Sequence, residues 1–260
     1  MIPYVINTAN ITFFINGRPY TVGMDHPNAD EIKAMLLDGS TDTAALIDLA
    51  DIPTAIQKSS DGKIEIRGDE VFYRDAPLDN VWTTKLISFM QASLPFQPVL
   101  NALESLMRNP SMRARNRLPL FVEKNHLGFL PDGRVVGLKA VRADFKDKHS
   151  GTVDNIPGVD IPRMDRADID DDPNTPCSHG YHVGTWDYVA NFGRGDDRYL
   201  LCAFWPEDVV AVPTDQCTKV RLAHYETLQE LPRAAIDGFI AKNHNLVTFD
   251  HDDQDGYSED

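Results

Sequence analysis

The stretch CSHGYH, residues 177–182, puts one thiol and two imidazoles within six positions, directly after an acidic run. Three chemistries suit those residue types. Cys177, His179 and His182 offer soft and borderline donors to zinc, which needs a fourth ligand such as His149 or an aspartate. The second cysteine or histidine pair of a zinc repeat is missing, so no metal is assigned. Cys177 would be a nucleophile only if His179 or His182 drew off its proton, and nearness in sequence does not supply that geometry. No catalytic residue is assigned. The third reading is structural: Gly180 permits close backbone approach, and Thr185 caps a helix that follows a strand.

The residues around CSHGYH widen the choice. Asp168, Asp170 and Asp172 alternate as in a calcium loop, but Pro173 stands where that loop needs glycine and His179 where it needs glutamate. An EF-hand is excluded. Asp144, Lys146, Asp147, His149, Asn155, Arg163, Arg166, Cys177, Gly180, His182 and Thr185 form the candidate ligand- or partner-binding set. Long polar loops of this kind commonly carry function. The competing reading is that Asp147, Asn155 and Asp165 satisfy backbone donors within an ordered loop.

Hydrophobic patterning predicts the elements that must hold these residues. ITFFI and RPYTV read as a hairpin about Asn16-Gly17, both of which tolerate the positive φ of a type I′ turn. DHPNADEIKAMLLDG reads as a helix stopped by Gly39, Thr43 to Leu49 as a second, and KIEIRGDEVFY as a hairpin turning near Gly68-Asp69. VWTTKLISFMQASL, PVLNALESLMRN and SMRARNRLPLFVEKNH have apolar residues at helical spacing, with Ser111 as a cap and Pro119 expected to kink or restart the third. Beyond Leu130, PDGRVVGLKAV, YLLCAF, VVAVP and KVRLAHYETL read as strands, TWDYVANF as a short helix and LPRAAIDGFIAKNHNL as a last helix. The expected fold is α+β, with an N-terminal β-hairpin/helix region (1–76), a central helical block (77–130), a mixed β-rich domain (131–246) and an acidic, disordered tail (247–260).

Composition narrows the partners. The 260 residues carry a formal charge of −15, which repels phosphate backbones, so no nucleic acid is expected. The densest basic stretch, Arg108, Arg113, Arg115, Arg117 and Lys124, reads instead as the wet face of a helix. Three cysteines make neither an even set nor a metal repeat, and the start MIPYVINTAN lacks the basic and apolar regions of a signal peptide. No apolar run approaches the roughly 18 residues of a membrane span. A cytoplasmic protein with reduced thiols is expected, touching membranes peripherally if at all. Self-association is left open.

Several longer words follow one another in a characteristic order. NPSMRARNRLPLFVEKNHLGFLPDGRVVGLKAV is followed by DFKDKHSGTVDNIPGVDIPRMDRADIDDDPNTPCSHGYHVGTWDYVANF, then by WPEDVVAVPTD and KVRLAHYETL. Together they resemble the phage RIIB family from Leu100 to Leu228, and the first hundred residues match in pattern rather than in words. Tyr181 stands where relatives carry an aliphatic residue and Leu138 where they carry an aromatic, while His179 falls at an open position. The resemblance implies an early phage accessory that works with a RIIA-like phage protein in the host bacterial cytoplasm, at the inner face of the host membrane. It implies continued infection of hosts with prophage exclusion systems and an influence on lysis timing. It implies no cofactor and transfers no catalytic residue. A competing reading is an enzyme acting on NAD or a nucleotide, because Gly180 to Thr185 echo the glycine-led strand of ADP-ribosyltransferase folds. Arg163 or Arg166 would then hold phosphate, and Glu207 or Asp208 would supply the acid.

Overall fold

A computed structural model of the chain describes residues 2–24, 26, 28–68, 70–91, 96–214 and 217–242. The acidic tail, Asp69 of the second expected hairpin and residues 92–95 lie outside the described residues. The fold is α+β, as the segregated strand and helix patterns imply. Among the described residues, contacts divide the chain into two compact units, one within 1–124, 128–135 and 205–207, the other within 125–127, 136–204 and 208–242.

In the first unit β1 (Tyr4–Ile6), β2 (Asn10–Ile15) and β3 (Arg18–Gly23) form an antiparallel sheet in that order. Asn16 (φ 51°) and Gly17 (φ 78°) make the tight turn that pairs Ile15 with Arg18. Alternation puts Ile11, Phe13 and Ile15 inward, where they meet Ile32 and Leu36 of α1 (Ala29–Leu37) and Leu46 of α2 (Thr43–Ala50). Asp42 caps α2 by accepting the Ala45 N–H at 3.0 Å. Besides β1, two elements of this unit escaped the sequence patterns, α3 (Ile52–Ser59) and the last strand of the meander β4 (Ile64–Arg67), β5 (Glu70–Tyr73) and β6 (Ala76–Leu78). Both are short, and Pro53 and Pro77 interrupt their periods.

Three helices complete this unit: α4 (Val81–Gln91), α5 (Gln97–Arg108) and α6 (Met112–Lys124). Ser111 accepts the Ala114 N–H at 3.2 Å and starts α6 as expected. Pro119 does not restart it. The helix runs through that position, with Leu118, Pro119, Phe121 and Val122 buried, so packing of the apolar face outweighs the single missing N–H.

The second unit is a six-stranded sheet. It contains β7 (Val135–Val141), β8 (Tyr181–Gly184), β9 (Arg198–Phe204), β10 (Val209–Ala211), β11 (Lys219–Leu222) and β12 (Glu226–Leu231), in the order β10-β11-β8-β7-β9-β12. Helices α7 (Trp186–Phe192) and α8 (Arg233–Lys242) help bury Leu138, Ala140, Val189, Tyr199 and Ile236. Thr185 caps α7, accepting the Tyr188 N–H at 3.3 Å. Between β7 and β8 runs the long polar segment that contains most of the candidate residues.

Gly184 shows how closely this sheet is packed. A Cβ there would lie 2.3 Å from Cδ1 of Tyr188 and 2.7 Å from the Thr218 carbonyl oxygen. Gly184→Ala should therefore cost about 1–3 kcal/mol through overpacking, read as a lower denaturant midpoint with an unchanged slope. Gly195→Ala, with open space around its Cα but φ 55°, serves as the comparison that carries backbone strain without a clash.

Candidate functional site

The candidate residues hang on one buried side chain that the sequence reading did not single out. Arg221 lies on β11, an interior strand, and is fully buried. Its Nη1 donates to the carbonyls of Asp170 and Asp172 (the latter at 3.3 Å), and Nη2 donates to that of Thr175 at 2.6 Å. Asp170 Oδ2 stands 3.6 Å from Nη1 and offsets part of the charge. A planar guanidinium thus gathers three carbonyls of an irregular loop and fixes them against the sheet.

Gly180 belongs to the same device. Its φ is +134°, and a Cβ there would meet Arg221 Cγ at 2.6 Å and Ile169 Cγ2 at 2.8 Å. The close approach expected of this glycine is therefore made by the chain's own arginine stem. Likewise the Tyr188 ring fills the space over Gly184. The glycine-led strand that prompted the nucleotide reading is lined by internal side chains.

Register places further polar groups on the Arg221 face. Arg221 pairs with His182, and Lys219 with Gly184, so their side chains share one side of the sheet. His182 is held neutral. Burial, reinforced by Lys139, Lys219 and Arg221, pulls its pKa down to about 3, and its Nε2 is enclosed without a hydrogen-bond partner among the described residues. Lys219 Nζ lies 3.8 Å from Sγ of the exposed Cys177 and 5.5 Å from the Tyr188 ring centre. Cys177 therefore faces a lysine. Among the described residues no three His, Cys, Asp or Glu side chains converge as a metal would require.

The opposite side of the sheet is braced by the first part of the polar segment. Lys139, nearly fully buried, donates to the His182 carbonyl at 2.9 Å and stands 4.9 Å from the Tyr225 ring centre. Burial lowers its pKa below the ordinary lysine value. The Tyr225 hydroxyl donates to Oδ1 of fully buried Asn155, whose amide donates to the carbonyls of Phe145 (3.2 Å) and Val153 (2.9 Å). Asp147 accepts the N–H groups of Ser150 (2.6 Å), Thr152 (3.1 Å) and Val153 (2.8 Å) and the Ser150 hydroxyl (2.7 Å). Burial opposes its charge, but these donors prevail and bring its pKa to about 2.

The remaining candidates are similarly placed. Asp144 accepts the Lys146 N–H at 3.1 Å, and Lys146 Nζ reaches Asp154 at 3.3 Å. Arg163 makes a two-pronged pair with buried Asp208, and Arg166 donates to the Val209 carbonyl at 3.0 Å. Glu207, the other acid considered for chemistry, pairs with Arg108. His149 is exposed. Asp165, Asp170 and Asp172 accept N–H groups two residues ahead, so much of the acidic run builds turns. Besides Arg221, the missed members are Lys139, Lys219 and Tyr225. For Arg221 and Lys219 the signal was available in KVRL, where two cations alternate with two aliphatics inside a strand.

Fold and site together define an α+β protein in which a long polar loop is clamped to a sheet by buried cations. The chain belongs to the bacteriophage rIIB family: residues 2–241 match the family described as Bacteriophage T4 protein rIIB. It is 30% identical over 223 residues to Protein rIIB of Enterobacteria phage T4, across 85% of this chain and 70% of that protein. The resemblance seen in the motif words is borne out, and it extends through the first hundred residues. No solved structure matches. Among the described residues no helix is long and apolar enough to cross a membrane.

His182 gives a pH test with a definite sign. An unfolded histidine takes up a proton near pH 6.5, whereas the folded ring resists until about 3. Its contribution to stability is therefore complete above pH 6.5 and is lost progressively as pH falls toward 3. Asp147 acts lower, between its ordinary 3.8 and about 2. Denaturant midpoints should fall between pH 7 and 4.5, and His182→Asn should flatten that decline relative to the parent. An identical pH dependence in the variant would contradict the neutral buried ring.

Proposed function

We propose that this rII-type phage protein acts by binding rather than by catalysis. It assembles with a RIIA-like phage protein in the host cytoplasm, at the inner face of the membrane, lets infection proceed in hosts that carry exclusion systems, and shifts the timing of lysis. One observation carries the reading. Asp147, Asn155, Arg163 and Arg221, polar groups suited to chemistry, spend their hydrogen bonds on the chain's own backbone and on Asp208. Such bonds make a loop rigid, and a rigid polar loop suits recognition, because little ordering entropy is lost when a partner docks. Family membership supports the biological setting.

The test is genetic and biochemical together. A phage lacking this gene should plate normally on a prophage-free host and lose most of its plating efficiency on an exclusion-proficient one, with earlier lysis. The affinity-tagged chain should retain the RIIA-like protein from infected cells. Equal plating on both hosts, together with no retained partner, would overturn the proposal. Steady consumption of NAD by the purified chain would favour the enzyme reading instead.

A further inference from the structure

All of the basic stretch noted in the sequence except Arg108, which ends α5, lies on α6, and the structure shows what accompanies it. Of the thirteen residues Met112–Lys124, four are cations (Arg113, Arg115, Arg117 and Lys124) and one is an acid, Glu123, in a chain of net charge −15. Ala114, Leu118, Phe121 and Val122 fill the buried side. At about 100° per residue, Met112, Glu123, Asn116, Leu120, Arg113 and Lys124 fall together on the opposite side. Met112 is 61% exposed and Leu120 58%, two of the most exposed large apolar side chains in the described structure. They stand two helical turns apart, about 12 Å. Arg113 and Lys124 have no ion-pair partner among the described residues, whereas Glu123 is held by Lys85 at 3.1 Å.

We infer that this face of α6 is a docking surface for an acidic protein segment that carries apolar residues of its own. Charge complementarity selects the partner's sign: with Glu123 answered by Lys85, Arg113 and Lys124 leave this face of an acidic protein cationic, and they attract carboxylates over distances within a Debye length, about 8 Å at physiological salt. The apolar pair selects its class. Phosphate contacts need donors and no aliphatic neighbours, so Met112 and Leu120 would be wasted on a nucleic-acid backbone. Two apolar anchors flanked by arginine and lysine match a protein surface in which carboxylates border an apolar recess, the arrangement in which a few central side chains supply most of the binding energy.

The inference rests on the binding reading above for the existence of a protein partner, and one experiment separates the two. The full chain, tagged, is co-expressed with the RIIA-like protein of the same phage, and retained partner is quantified after nuclease treatment. The parent chain should retain it. Met112→Ser/Leu120→Ser and Arg113→Glu should each weaken retention at least about tenfold, while Arg113→Lys should retain most of it. These positions are exposed, so thermal melts should coincide with the parent; if the double variant melts early, Arg113→Glu alone decides. Full retention by both variants overturns the surface and leaves the binding reading standing. No retention by the parent overturns both. Retention abolished by nuclease, or α6-dependent flotation with phosphatidylglycerol vesicles but no retained protein, would assign the face to phosphate chemistry and also overturn the inference.

Discussion

The second unit depends on one buried cation. Arg221 has no water around it, so its charge must be answered from within the fold, and three backbone carbonyls of residues 170–175 do so. The dependence runs both ways. Those carbonyls belong to irregular chain with no strand to pair with, and without the guanidinium those of Asp170 and Thr175 would lose the donor they have here, while that of Asp172 would keep only the Thr175 N–H. Removing one member of such a set typically costs about 3–5 kcal/mol, a large fraction of the stability of a domain. The glycine at 180 exists to let the arginine stem pass, and the aspartates before it turn the chain so that its carbonyls face inward.

The same constraint explains the electrostatics of the sheet. Lys139, Lys219 and Arg221 bring three cationic side chains toward its centre, and the imidazole between them has no charge to add. A protonated His182 would oppose all three. Its neutrality is therefore a condition for the cations being there, while the Tyr225 ring face and the His182 carbonyl balance Lys139. On the other side of the sheet Asp147 and Asn155 do for residues 145–155 what Arg221 does for 170–175: the Asp147 carboxylate gathers N–H groups, the reverse of the guanidinium, and the Asn155 amide donates to carbonyls as the guanidinium does.

Much of this was legible in the sequence. The Asn16-Gly17 turn, the Ser111 and Thr185 caps and most strands and helices after Leu130 follow from local rules of backbone conformation and periodicity, which need no knowledge of distant residues, whereas KVRLAHYETL, read as one run, divides into β11 beside β8 and β12 beside β9. Gly180 was read as a point of close approach, and Asp147 and Asn155 were placed in the candidate binding set with bracing of backbone donors as the competing reading; Asp147 does brace donors, whereas Asn155 donates to carbonyls. What stayed hidden was nonlocal. Nothing near position 221 indicates that its partners lie about fifty residues earlier, and only strand order brings β11 beside β8. The restart expected at Pro119 fails for a related reason, since tertiary packing of Leu118 and Phe121 carries a helix through a position that local propensity disfavours. The family resemblance supplied biology that the geometry of these side chains does not contain.

Taken together, residues 142–180 behave as a built element whose order comes from side chains reaching in from the sheet and from within the segment. Amide hydrogen exchange of the native protein, read residue by residue, addresses that claim most directly. The N–H groups of Asp147, Asn155 and Asp170, which donate to Val153, Phe145 and His179, should exchange at least about a thousandfold more slowly than in an unfolded chain, in step with the sheet amides. Exchange of those three amides at unfolded-chain rates, while β8 and β9 stay protected, would contradict the account.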